Sequence, residues 1–505
     1  MKGGLSVVKF DKLFLLSFVS WFEVKGMVDE VLLERVVDLA RSQGATYAEA
    51  RFQEDASESL TMRNGRVLGV NTSVSRGVGI RVLVGGALGF AATNRLDQES
   101  LTSAAAEAVS RARAVSSLMR SPVEFDESRV GRVSYEVVPK VKLEDYSIED
   151  RISLGKEVYS AVGGSLRQAK LSVLTFGVDT HIQKKVVVNS DGALVRSTVP
   201  RVYVWVNFVE NIPEKGTIQR RVEFGASGGI EWLKEWRVVD EVAEEAKNLE
   251  NVLANGVEPP REEVDVIVGS EIVGLIVHES AGHPMEADRI LGREAAQAGE
   301  SYVKPEMIGR YSVGNKYATV IEDPTVPGGY GFYLYDDEGV PARPRYLYKE
   351  GMLHEPLHNR HTAKVFGTFS NGAARAMTYA REPIIRMSNT YFKPGDMSFE
   401  ELLEDIKLGV YMKSYMEWNI DDIRWNQRYV GLESYLIVDG EITKPVRNPV
   451  LEVTTGGFYS RISGVGKVLR FYPGTCGKGE PSQGVPVWFG GPDVKLSKIK
   501  VGVAL

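Results

Sequence analysis

The chain is nearly devoid of cysteine: its 505 residues include one, Cys476. An intrachain disulfide is therefore excluded, and a reducing, cytoplasmic setting is expected. Basic tracts are missing too. The formal net charge is −6 and no Lys/Arg-rich run stands out, so nucleic acid is not an expected partner. No apolar run is long enough to cross a bilayer. The stretch Leu13–Phe22 is ten residues long, about half of what a spanning helix needs. It follows Lys9 and Lys12 as the middle of a signal peptide would, but Glu23 and Lys25 stand where a small-x-small cleavage site belongs. Residues 1–26 are read as an extension, with Met27 as the natural start, and no membrane partner is expected.

What the chain does have is length, glycine and a balanced interior. Hydrophobic residues are 43% and charged residues 25%, the composition of a folded globular protein. At this length two or three domains are expected. Its 51 glycines imply many tight turns and hence a strand-rich chain.

Val28, Val31, Leu32, Val36, Leu39 and Ala40 keep helical spacing, and Gly44 follows as a stop. Asn64-Gly65 and Gly85-Gly86 mark hairpin turns, and Asp191-Gly192 a third. Further helices are predicted from Asp97, from Ser147 with Asp150 as its capping partner, and over 238–253. Asn255-Gly256 and Pro259-Pro260 then break the pattern. The expected organisation is an N-terminal α/β domain over 27–257 and a C-terminal domain over 258–505. The second part opens with a strand over 264–269 and a helix from Glu271 capped by Ser270. Turns at 336–339, 349–351 and 439–440 follow, and one helix over 398–409. The predicted class is α+β: mixed helix and sheet first, then a large antiparallel sheet or barrel that carries one chemically unusual helix.

That helix reads EIVGLIVHESAGHPMEADRI, residues 271–290. It holds His278, Glu279 and His283 within an otherwise apolar stretch, where bare imidazoles need partners. Two histidines can hold a zinc ion while the carboxylate takes a proton from water. The spacing is informative. Five residues on a regular α-helix turn through about 140° beyond a full circle, so both rings cannot face one ion. A wider, π-like turn reduces that to about 50°. Gly282 and Pro284 flank His283 and make such a distortion tolerable, so a wide turn is predicted there.

Cys476 lies in a glycine- and proline-rich tail and is read as sitting on a loop or turn. A lone buried cysteine is usually a small apolar filler; the alternative is a thiolate that completes a His-His-Cys set and leaves a fourth position for water. His354-Glu355-Pro356-Leu357-His358 spells the more familiar HExxH. Pro356 cannot lie inside a helix that begins before His354, so these two histidines are not expected to share a face. His181 and His361 stand in no motif.

Taken in order, the run RGVGIRVLVGGALGFAATNRL, the helix HESAGHPMEAD, DDEGVPARPRYLYKEGML, RMSNT at 386–390 and the tail C-G-K, S-Q-G-V-P-V, G-G-P resemble the TldD/PmbA family of peptidases, in its TldD branch. The resemblance runs from Met27 onward and leaves only residues 1–26 without a counterpart. It implies a zinc metallopeptidase with one Zn2+ per chain, which cleaves short or unfolded peptides from a strand-rich C-terminal domain. It implies His278, His283 and Cys476 as metal ligands and Glu279 as general base, with Glu286 and Asp288 as candidate second-layer residues orienting a histidine. Partners implied are peptides, held as an extended strand beside a sheet edge, and an oligomer of the chain itself or a heteromer with a TldE/PmbA-like subunit. The rival readings are a non-catalytic or partner-dependent subunit and a zinc amide hydrolase for non-peptide substrates.

Deleting residues 1–26 is expected to leave soluble yield, metal content and activity unchanged, because the helix pattern after Met27 is complete without them. Loss of soluble protein on deletion would show that the segment packs on the body.

Overall fold

Asp29 starts the first helix by accepting the Val31 N–H, and Leu33, Val36, Val37 and Ala40 turn inward from it. The computed structural model describes residues 28–294 and 299–504; the extension expected at 1–26 lies outside them. The first half runs α1 (Glu30–Ser42), β1 (Tyr47–Arg63), β2 (Arg66–Val84), β3 (Ala87–Thr93), α2 (Gln98–Ser116), β4 (Arg132–Glu136) and α3 (Ile148–Ser165). It continues with β5 (Lys170–Asn189), β6 (Leu194–Ile212), β7 (Gly216–Ser227), α4 (Glu231–Trp236) and α5 (Val238–Asn255).

Its seven strands form one sheet in the order β3-β2-β1-β5-β6-β4, with β7 also on β6. All pairs are antiparallel except β4 with β6. The β1–β2 turn falls at Asn64-Gly65, with φ of 48° and 73°, the left-handed pair that a two-residue hairpin needs. α1 and α2 close one core over Phe52, Ile80 and Val186. α3 and α5 close a second over Phe176 and Phe208.

The second half is strand-rich and mostly antiparallel, as expected of an α+β chain. β8 (Glu263–Val268) lies between a parallel neighbour, Leu408–Met412, and an antiparallel one, Val494–Lys500. α6 (Ser270–Val277) follows at once and is buried along its whole length. It lies on the strand Gln483–Gly491, where Gly274 allows the approach: a Cβ there would stand 2.7 Å from the Gly490 nitrogen. Glycine in a helix costs about 1 kcal/mol, which the close packing offsets.

Two local expectations give way to tertiary contacts. The helix after Ser398 has its capping box with Glu401 but ends at Leu403. Gly409 belongs instead to a strand, because residues 409–412 pair with β8. The cap of α6 is Gly269, and the Ser270 hydroxyl is taken by Tyr472 at 2.8 Å.

Buried polar contacts tie the two halves together. Arg81 on β2 bonds Glu49 and Glu338, each at 2.8 Å. Arg220 on β7 grips both oxygens of Glu271 on α6, at 3.0 and 2.9 Å. Trp488 donates its indole N–H to the Gly225 carbonyl at 2.6 Å.

One buried acid stands apart. Glu210 on β6 is fully enclosed and its carboxylate has no hydrogen-bond partner among the described residues. Burial, reinforced by Glu250 and Glu245, pushes it up to about 8. The folded chain keeps a proton there that the unfolded chain releases near the ordinary value of 4.5. This contribution to stability is complete below that value and is lost as pH rises toward 8. Glu210→Gln is expected to leave the Tm nearly unchanged near pH 5 and to raise it near pH 9, by the equivalent of roughly 2 kcal/mol. Equal Tm shifts at both pH values in calorimetry would contradict this.

Candidate metal centre

At the end of α6 the helix widens. His278–Gly282 forms a π turn, closed by the His283 N–H on the His278 carbonyl at 3.1 Å. This is the wide turn that the five-residue spacing requires. It brings the two imidazoles to 5.0 Å between centroids, at 85° to each other. Gly282 is needed at the inner edge, since a Cβ there would stand 1.9 Å from the Met387 sulfur. Pro284 has no N–H to continue the ladder.

Cys476 approaches from a different element. It lies on the strand Arg470–Lys478, opposite Val485. The expectation of a loop is corrected here. Pro473 is tolerated because the strand is at the edge of its sheet. Its partner Gln483–Gly491 pairs on the other side only over 488–490, beyond Pro486. The Cys476 sulfur is 3.7 Å from His283 Nε2, and the ligand atoms of His278, His283 and Cys476 all lie within 4.8 Å of one another.

All three are buried. His283 Nδ1 faces the Glu286 carboxylate at 3.1 Å, which orients the ring and leaves Nε2 toward the cysteine. His278 Nδ1 is buried and, among the described residues, has no hydrogen-bond partner. An unpaired imidazole nitrogen, an imidazole aimed by a carboxylate and a thiol make a donor set that suits zinc.

The electrostatics point the same way. Burial holds both imidazoles below their ordinary range, which favours the neutral form that binds metal. Burial opposes ionisation of the Cys476 thiol, but the neighbouring His283 and Arg386 outweigh it and bring it down to about 7. Burial likewise opposes the Glu286 charge; Lys478 and Arg289 overcome it and hold the carboxyl well below its usual range.

Glu279 follows His278 on the π turn and is also buried. Its Oε2 accepts from Arg424. Its Oε1 takes no hydrogen bond from the described residues.

Residues 48–112, 141–250 and 261–503 match domain 1, the central domain and the C-terminal domain of the PmbA/TldA metallopeptidases. A metalloprotease of Archaeoglobus fulgidus is 31% identical over 90% of this chain and 99% of its own length. The chain belongs to the TldD/PmbA family of metallopeptidases. A zinc metalloprotease TldD homolog of Saccharolobus solfataricus is 25% identical, over 93% of this chain and 99% of its own. The crystal structure of TldE from Thermococcus kodakarensis shares the fold, with a TM-score of 0.71 and 18% identity, over 93% of this chain and all of that one.

In this member of the TldD/PmbA family, the structure brings His278, His283 and Cys476 together and surrounds them with charged side chains. Glu286 faces a histidine, with its carboxylate 3.1 Å from His283 Nδ1. Asp288 departs from expectation: its carboxylate takes Lys478 at 2.8 Å instead of an imidazole, because Lys478 projects between it and Glu286. Arg386, Lys478, Arg289 and Arg424 were missed as parts of the site. Arg386 lies in RMSNT and donates to the carbonyls of Cys476 and Gln483, which ties down the cysteine strand. Lys478 lies two residues after Cys476. Arg424 carries no motif.

His354 and His358 are not in a helix; the nearest one, Arg360–Phe366, begins after them. His354 Nδ1 is 3.2 Å from the Tyr346 carbonyl and His358 Nδ1 is 3.1 Å from Thr362. Among the described residues they join no ligand cluster.

Purified protein is expected to hold about one zinc per chain. His283→Ala and Cys476→Ser should lower that content in elemental analysis, the second because a hydroxyl replaces a soft thiolate poorly. His354→Ala and His358→Ala should leave it unchanged. The reverse pattern would move the metal to the second pair of histidines.

Proposed function

We propose that this chain is a zinc metallopeptidase that cleaves short or unfolded peptides, with His278, His283 and Cys476 as the ligands. The observation that carries the reading is the convergence of three ligand atoms within 4.8 Å beside a buried carboxylate. When bound, the ion lowers the pKa of a coordinated water and polarises the scissile carbonyl.

The chain's own groups do the rest. Glu279 takes a proton from the attacking water through its Oε1 and returns it to the leaving nitrogen. Glu286 holds His283 in one tautomer, and Lys478 and Arg289 keep Glu286 charged. Cys476 sits on a strand at a sheet edge, which supports a substrate lying extended along that edge. Main-chain pairing of that kind reads many sequences loosely.

The ligands and base all lie in 258–505, which is proposed as the metallopeptidase domain, while 27–257 is proposed as the N-terminal domain that braces it through Arg220 and Glu271. The TldE structure that shares the fold supports a heteromer with a TldE/PmbA-like subunit, or assembly with a second copy. The single cysteine supports a cytoplasmic setting, and among the described residues no helix is long and apolar enough to cross a membrane.

Glu279→Gln is nearly isosteric and removes the proton acceptor without removing a ligand. It should lower cleavage of a disordered substrate such as reduced casein by about 10²–10⁴-fold while zinc stays bound. Near-normal turnover by the glutamine variant would refute the assignment.

A further inference from the structure

We propose that Arg424 is a positioning residue for the reaction, acting through Glu279; this rests on the metallopeptidase reading above. Arg424 lies more than a hundred residues from the HExxxH segment, on the turn between the strands Tyr415–Ile420 and Asn426–Gly431. Its guanidinium is buried and donates from Nη1 to Glu279 Oε2. The contact takes one carboxylate oxygen, and no described residue bonds the other. A carboxylate that must meet a water at a set position gains from a planar donor fixing its plane, because a small error in placement is costly to rate.

The arm that delivers the guanidinium is held with unusual care. Arg424 has φ of 67°, a left-handed backbone that a non-glycine residue adopts at a cost of about 1 kcal/mol or more. Several groups hold it there. The Arg424 N–H donates to the Asp421 carbonyl at 3.1 Å. The Asp421 carboxylate accepts the N–H groups of Trp425 at 2.7 Å and Asn426 at 3.1 Å. Thr455 donates its hydroxyl to the Arg424 carbonyl at 2.7 Å, and Gln427 in turn bonds that hydroxyl at 2.8 Å. Tyr302 packs edge-on against Trp425, and its N–H bonds the Ile423 carbonyl at 2.9 Å. A strained residue fixed from several directions and pointed at the proposed base is what a positioning role requires. Stability alone would be as well supplied by an apolar pair at the same place.

The test compares full-length wild type with Arg424→Met, Arg424→Lys, Arg424→Gly and the Arg424→Met/Glu279→Gln double variant. Readouts are zinc content, thermal unfolding, and kcat and KM on reduced casein. Arg424→Met should lower kcat by about 10²-fold, with KM within about threefold and zinc content unchanged. Arg424→Lys should keep a larger share of kcat than Arg424→Met. Added methylguanidinium should restore part of the activity of Arg424→Gly and none of that of Arg424→Met, whose side chain fills the space. In the Glu279→Gln background Arg424→Met should cost no further activity, because the arginine acts only through the missing carboxylate. Thermal unfolding reads the pair without any turnover: the double variant should recover Tm lost in Arg424→Met, where Glu279 is left buried and unpaired.

Wild type that binds zinc but cleaves no peptide overturns the peptidase reading and this role with it. Wild type that cleaves while Arg424→Met keeps kcat within about threefold overturns this role alone. Loss of zinc in step with activity, or a rise in KM with kcat intact, also overturns it.

Discussion

One backbone hydrogen bond governs the site: the His283 N–H reaches back five residues to His278 instead of four. Without that wide turn the two imidazoles would point away from each other, and no tail cysteine could complete the set. The turn survives because its surroundings accept it. Gly282 yields the space that the Met387 sulfur occupies, and Gly274 lets the preceding helix press onto the strand next to the cysteine's own. A methyl added at Gly274 would meet the backbone of that strand, and one added at Gly282 would displace the Met387 side chain. The distortion and the packing that tolerates it are one feature.

The charges around the turn share partners. Glu286 is shared by His283, Arg289 and Lys478, and Lys478 is shared with Asp288. Every member is largely removed from water, so none can lose its partner without a penalty of several kcal/mol. That set fixes His283 from behind and leaves its front free for a ligand role. Arg386 does the same for Cys476, through the backbone of the cysteine's strand. Glu279 is the exception. Among the described residues it is engaged from one side, by an arginine on a distant hairpin turn, and that asymmetry suits the proton-transferring role proposed for it.

Among the described residues the first half places no group in the His-His-Cys cluster, yet it reaches the site helix. Arg220 extends from β7 to Glu271, at the first turn of α6, and Glu245 on α5 meets the same guanidinium at 2.8 Å. The helix that carries the histidines is thus anchored at its start by the N-terminal sheet and at its end by the π turn.

The sequence by itself determined the elements whose signals are local. Asn64-Gly65 must turn because both residues accept positive φ, and Ser147 and Asp150 cap a helix by bonding each other's backbone. The five-residue gap between His278 and His283 could serve one ion only through a wider turn, a constraint of helix geometry. The HExxH at 354–358 cannot form a helical ligand pair because proline does not occupy a helix interior, and the chain there is not helical. Tertiary structure alone decided the rest. Cys476 reads as loop because glycine and proline surround it; a strand forms because the sheet edge leaves the prolines' missing N–H groups unneeded. Gly409 reads as a helix stop, but it pairs with β8. Arg424 is invisible in sequence because no spacing rule links a hairpin turn to a helix so far upstream; only the fold brings its guanidinium to Glu279. Local chemistry repeats with the backbone's own periods, whereas contacts between distant segments depend on how sheets stack and have no period to read.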